Sequence, residues 1–112
     1  MKDNPRIKMM NDLREEMYRD PEKALRSEDA AKAVNYSYRW FTICWNMQFG
    51  VSYHEDLQKA RAKHIKAMLK RWKTIPDIAE ELDVSTDTIK RIFRNVYGMS
   101  IKKFMASEVG LV

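Results

Sequence analysis

One segment of this chain is written twice. Displacing residues 29–52 by 48 positions lays Asp29, Ala31, Ser37, Gly50 and Ser52 on Asp77, Ala79, Ser85, Gly98 and Ser100. The same shift pairs Val34 with Leu82, Phe41 with Ile89, Trp45 with Phe93 and Phe49 with Tyr97. Matched punctuation around matched apolar positions makes the chain two copies of one small unit. Units of this size bury too little apolar surface to stand alone, so the chain is one domain, or two very small ones that must share a core. The chain therefore divides into a first subdomain at 1–51, a connector at 52–73 and a second subdomain at 74–112, within a single 112-residue domain.

Each copy reads as two helices around a tight turn. In the second, Ile78 to Leu82 is followed by Asp83-Val84 in the turn and Ser85 at an N-cap position. Ile89, Ile92, Phe93 and Val96 then recur at helical spacing until Gly98 closes the helix. In the first, Ser27 with Glu28 and Asp29 opens a helix that runs to Val34. Asn35 tolerates a left-handed turn, and Ser37 caps a helix from Tyr38 to Phe49. Upstream, Asn4-Pro5 marks a helix start, and Ile7, Met10, Leu13 and Met17 repeat at helical spacing as far as Asp20-Pro21. That helix is expected to lie as a lid on the first unit, with a dimerising role as the alternative. Leu25 is expected to pack beneath the helix that follows it.

The connector begins with a capping box, Ser52 and Glu55. Leu57, Arg61, His64, Ile65, Met68, Leu69 and Trp72 then line one face of a helix from Tyr53 to Trp72, about 30 Å long at helical rise. Thr74 with Asp77 repeats the box, and Pro76 falls in the first turn, where a missing N–H costs nothing. A last helix, Ile101 to Val109, should close the core with Phe104 and Met105. Three glycines and three prolines leave little room for long loops, and alternating β-branched residues are missing. The expected class is all-α: about seven helices, arranged as two helix-turn-helix subdomains joined by a long linker helix.

Charge placement points to a ligand. Residues 1–24 hold six positive and six negative side chains, whereas residues 53–73 hold seven and two, which supplies the net charge of +5. In the second copy, Asp77, Glu80 and Glu81 lie on the first helix, while Lys90, Arg91, Arg94, Lys102 and Lys103 follow it. That split turns the second helix toward a polyanion. Helical spacing leaves Arg39, Thr42, Ile43 and Asn46 opposite the apolar side of the first copy's second helix, and Thr86, Asp87, Lys90, Arg91 and Arg94 opposite that of the second. Arg and Asn suit base-edge hydrogen bonds, Lys90 or Arg91 suits guanine, and Thr42 or Ile43 suits a thymine methyl. Base-reading candidates are thus Arg39, Thr42, Ile43, Asn46, Thr86, Asp87, Lys90 and Arg91. Phosphate candidates are Ser37, Tyr38, Ser85, Arg94, Lys102 and Lys103. For the linker lysines, Lys59, Lys63, Lys66, Lys70 and Lys73, a solvated face is at least as good an account. Double-stranded DNA is the expected partner.

These residues resemble the DNA-binding domain of the AraC/XylS family of bacterial transcription regulators. The matching positions are Ala31, Ser37, Phe41, Trp45 and Gly50-Val51-Ser52 in the first unit. Arg61 and Leu69 match in the linker, and Ile78-Ala79, Phe93 and Gly98-Met99-Ser100 in the second unit, so that roughly residues 10–108 are covered. The chain departs from the family pattern at Asp83-Val84, where Gly-Phe is usual, at Ile101 in place of Pro, and at Asp56 in place of Tyr. Its second unit is one residue shorter. The resemblance implies two recognition helices in successive major grooves, about 34 Å apart, and a stand-alone regulator that acts as a monomer, with RNA polymerase as a further candidate partner.

Other classes find less support. Cys44 matches Ile92 across the repeat, which suits a small core side chain in a reducing compartment and excludes a disulfide framework. No apolar run approaches the about 18 residues of a membrane span, and no signal peptide is recognisable, so a soluble cytoplasmic protein is expected. His54 and His64 lack partners at metal-ligand spacing, and no cofactor or small-molecule ligand is evident. No acid pair, glycine-rich phosphate loop or nucleophile with a histidine partner suggests an enzyme. The competing reading is a protein-interaction adaptor that keeps the bihelical scaffold, favoured by Ile43 and Asp87 on the outward faces.

Overall fold

Capping side chains set where the helices begin, and left-handed residues set where several of them stop. In the computed structural model, which describes residues 4–108, the Asn4 side chain accepts the N–H of Arg6 at 2.9 Å ahead of α1 (Pro5–Arg19). A short 3-10 turn, Pro21–Lys23, leads to α2 (Ser27–Ala33) and α3 (Tyr38–Phe49). Then come α4 (Tyr53–Lys70), α5 (Ile75–Leu82), α6 (Thr86–Tyr97) and α7 (Ile101–Glu108). The described residues thus form seven α-helices and no strand, an all-α fold. Val109, expected in the last helix, lies outside the described residues.

The repeat is preserved residue by residue. Ser37 Oγ accepts the N–H of Trp40 at 3.2 Å, and Ser85 Oγ accepts that of Thr88 at 3.1 Å. The helices α3 and α6 stop at Gly50 (φ +74°) and Gly98 (φ +70°). Asn35 (φ +59°) and Asp83 (φ +56°) hold the same left-handed position after α2 and α5. In both, the left-handed residue donates to the carbonyl three back, and the next residue donates to the carbonyl five back, Tyr36 to Ala31 at 2.9 Å and Val84 to Ala79 at 3.0 Å. This is the Schellman arrangement, which satisfies otherwise orphaned carbonyls.

Local details correct three expectations. Ser27 is the first residue of α2 rather than its cap, and Arg26 precedes it without a side-chain capping bond. Leu25 is exposed, although its carbonyl accepts the Tyr53 hydroxyl at 2.5 Å. Trp72 does not line the buried face of α4. It sits beyond the helix end at φ +62° and is 67% exposed, because Trp72 donates to Leu69 and Lys73 to Met68 in a third Schellman turn that swings the indole outward.

The chain falls into two compact units, Met1–Leu57 and Gln58–Val112, so the boundary lies inside α4. In the first unit, Met10 and Met17 of α1 are buried with Val34, Phe41, Trp45 and Tyr53. The Trp45 ring lies 4.5 Å from Phe49 and 4.9 Å from Tyr53, centroid to centroid. Such tilted and edge-on pairs add to area burial. α1 is therefore a lid on this unit, as its spacing predicts, and Gln48 Nε2 ties it down through the Ile7 carbonyl at 3.3 Å and Asn11 Oδ1 at 2.9 Å.

Asp56 is fully buried at the centre of this unit. Arg14 of α1 meets it with two hydrogen bonds, 2.8 Å from Nε and 3.2 Å from a terminal nitrogen. The Tyr18 hydroxyl donates at 2.6 Å and Trp45 Nε1 donates at 3.1 Å. Four donors thus surround one carboxylate, which is what a buried charge needs. The Asp56 carboxylate raises the Arg14 pKa further above its already high value. Burial, then the hydrogen bond to Asp56, pushes the Tyr18 hydroxyl from 10.0 up to about 12.

In the second unit, Ala62, Ile65 and Leu69 of α4 pack with Ile78, Ala79 and Leu82 of α5 and Ile89, Ile92 and Phe93 of α6. Ile101 and Phe104 of α7 complete this core, and the Phe104 ring lies 5.3 Å from Phe93. Lys66 Nζ stands 5.0 Å from the Tyr97 ring centroid, close enough for a cation–π contact. Tyr97 is also raised in pKa, by burial.

Four outcomes are expected. Asp56→Asn should lower stability by about 3 kcal/mol in urea unfolding, since it leaves buried donors facing an amide; the partial exposure of Arg14 keeps the loss below that of a wholly buried pair. Glu55→Gln, on the exposed side of the same turn, should change it by less than about 0.5 kcal/mol. Because the Tyr18 pKa is raised on folding, its contribution is fully present below pH 10.0 and is lost as pH rises through about 12. The alkaline loss of stability should therefore be shallower in Tyr18→Phe, and identical curves would contradict this. Trp72→Gly should stabilise by about 1 kcal/mol by removing left-handed strain from a bulky residue, and a net destabilisation would show that the indole makes contacts worth more than the strain.

Candidate nucleic-acid interface

The outward faces of α3 and α6 follow from the positions that their cores consume. In α6, Ile89, Ile92 and Phe93 are buried, so Thr86, Asp87, Lys90, Arg91 and Arg94 are left exposed. These five belong to one broad surface stripe of a 12-residue helix held by a serine cap and a glycine stop. Lys102 and Lys103 are exposed at the start of α7. Among the described residues, none of Lys90, Arg91, Arg94, Lys102 and Lys103 forms an ion pair. Their charges are therefore unneutralised by neighbouring carboxylates, as an anion-binding surface requires. Asp87, one turn before Arg91, is exposed without pairing to it.

The first unit presents a different surface. In α3, Phe41 and Trp45 are buried, and Arg39, Ile43 and Asn46 are exposed as their spacing predicts. Thr42 is half-buried, and its hydroxyl donates to the Arg39 carbonyl at 2.8 Å. Tyr38 is 52% exposed, Trp40 49% and Met47 78%, so apolar and aromatic groups occupy much of this face. Arg39 is its one cation within α3. Cys44, expected in the core by its match to Ile92, is only half-buried and lines a cleft with Ile7, Tyr36, Trp40 and Met47.

Ser37 and Ser85 are committed to capping, and Ser85 Oγ lies 2.9 Å from Thr88 Oγ1. Each hydroxyl accepts a backbone N–H and still stands exposed at a helix start, where an approaching phosphate would meet positive dipole.

The structure brings Lys90, Arg94 and Lys102 to one cleft beside Ile75, Ser100 and Ile101. Spacing along the chain puts Lys90 and Arg94 one turn apart, yet only the packing of α7 on α6 adds Lys102 to them. Sequence reasoning missed the apolar share of α3, above all Met47. Its repeat partner is Asn95, an exposed position, and that match is the signal that would have placed it outward. No helix among the described residues is long and apolar enough to cross a membrane. Comparison with protein-family models and with curated proteins finds no match to this chain.

Proposed function

We propose that this protein binds double-stranded DNA in a sequence-specific manner as a bacterial transcription regulator of AraC/XylS type, with α3 and α6 each entering a major groove. The observation that carries this reading is the α6 face, where Lys90, Arg91 and Arg94 are exposed and form no ion pair among the described residues, next to Lys102 and Lys103. A helix of this width fits the major groove, and its guanidinium and ammonium groups match phosphate oxygens and guanine edges. On α3, Arg39 and Asn46 offer hydrogen bonds to base edges, whereas Ile43 and the Thr42 methyl offer apolar contact to thymine. The two helices thus divide the work: α6 supplies most of the charge, and α3 supplies shape and apolar contact. RNA polymerase is a further candidate partner under this reading, and the protein is expected to bind as a monomer.

A second reading is favoured by one observation. Trp40, Ile43 and Met47 together make an exposed apolar face on α3, and an exposed apolar patch marks an interaction site. Under it, the protein is an interaction adaptor whose first unit grips another protein.

Sites selected from a random DNA pool supply the ligand that separates these readings. On the selected site, Arg91→Ala should weaken binding by about 1 to 3 kcal/mol and relax preference at one base position. Arg94→Ala should weaken all sequences alike and lower the slope of log K against log salt by about 0.9. The difference arises because a guanine edge offers its two acceptors at particular steps, while a phosphate offers oxygens at every step. If Arg39→Ala and Arg91→Ala both fold normally and alter neither affinity nor preference in a competition gel shift, the adaptor reading replaces the DNA reading.

A further inference from the structure

We propose that the cleft between α6 and the start of α7 is a binding site for a small organic anion, a carboxylate carried on an apolar body, and that its occupant competes with DNA. The cleft encloses about 480 Å³, within the range of small-ligand sites. Its lining is Ile75, Lys90, Arg94, Ser100, Ile101 and Lys102, three cations and no carboxylate. Ile101 is 6% exposed and Ile75 is half-buried, so the two form an apolar floor beneath exposed cations.

Charge and floor together select the ligand. A bare phosphate satisfies the cations and leaves the isoleucines wet, and a neutral apolar molecule does the reverse. A carboxylate on an apolar body satisfies both, with the body over Ile75 and Ile101 and the anion between Lys90, Arg94 and Lys102. The α7 terminus adds to this. Ser100 Oγ accepts the Lys103 N–H at 3.1 Å, which leaves the hydroxyl hydrogen free to donate. The N–H groups of Ile101 and Lys102 fall in the first turn, where no intrahelical acceptor exists, and the helix dipole there favours an anion. By contrast, the cleft lined by Glu16, Arg19, Asp20 and Lys23 mixes both signs, and the one beside Cys44 carries no charged residue.

The competition half of the proposal rests on the DNA reading, because Lys90 and Arg94 would have to serve both ligands. The binding half does not.

Amide NMR titration of the full chain with naphthoate tests the binding half. The expected result is saturable shifts centred on Ile75, Lys90, Arg94, Ser100, Ile101 and Lys102. Naphthamide, which keeps the body and loses the charge, should bind at least about tenfold more weakly, as the loss of a charge-assisted contact implies, and so should inorganic phosphate, which loses the body. Lys102→Ala, at an exposed position, should fold normally and weaken naphthoate several-fold. Shifts spread evenly over Lys59, Lys63 and the other linker lysines, equal affinity for naphthamide or phosphate, or no effect of Lys102→Ala would each overturn the site. Fluorescence anisotropy with the selected DNA tests competition, where saturating naphthoate should raise the apparent Kd. An unchanged Kd would overturn competition and leave the site standing. If no DNA binds in the absence of naphthoate, the DNA reading fails and takes the competition half with it, while the NMR result still decides the binding half.

Discussion

The first unit depends on one carboxylate. Asp56 stands in the first turn of α4 and is met by Arg14 and Tyr18 from α1 and by Trp45 from α3, so three helices converge on a single buried charge. Burial of an ionised group is unfavourable unless its lone pairs are filled, and here the donors fill them from three directions. The geometry is specific in a way that apolar packing alone is not, because a small rotation of α1 or α3 would strand a donor or a charge. The buried aromatic cluster of Phe41, Trp45 and Tyr53 supplies the area, and Asp56 fixes the arrangement in which that area is buried. The position of α3, and so the orientation of Arg39 and Asn46, follows from a residue that never reaches the surface.

Among its described residues, the second unit has no such buried charge. Its buried set is aliphatic and aromatic throughout, and its α6 reproduces the caps and stops of α3 at the same spacing. Two copies of one backbone are thus stabilised by different physics. The copy with the polar keystone displays a largely apolar outer face, and the copy with the apolar core displays the cationic one.

The repeat, the caps and the left-handed turn residues made most of the fold legible in the sequence, because each rests on short-range rules. Ser37, Ser85, Gly50, Gly98 and Asn35 stand where those rules put them. What escaped was long-range. The partners of Asp56 lie 11 to 42 residues away, and no spacing rule pairs an aspartate with an arginine at that distance. Trp72 continued an apolar periodicity by chance, and the backbone turn that expels it is a matter of hydrogen bonding beyond the helix end. At the candidate interface, the exposed positions of α6 were readable because its apolar residues leave a clear complement. Those of α3 were readable only in part: spacing placed Arg39, Ile43 and Asn46 outward, but Trp40 and Met47 are apolar residues on the solvent side, and binary patterning assigns such residues inward.

That exposure bears on how the two helices would share a ligand. Isolated apolar residues at a surface need no explanation, yet Tyr38, Trp40, Ile43 and Met47 occupy one helix of only 12 residues. A face so poor in charge gains little from phosphate attraction, so any hold on DNA there must come from close fit and thymine contact, which are strong only on a matching sequence. The cationic α6 face has the opposite character: under the DNA reading it would attract any duplex and discriminate less. A protein built this way would find DNA with one unit and judge it with the other. The same asymmetry makes α6 the unit that a competing anion can disarm, since Lys90 and Arg94 line its cleft, whereas α3 presents only Arg39 to such a ligand.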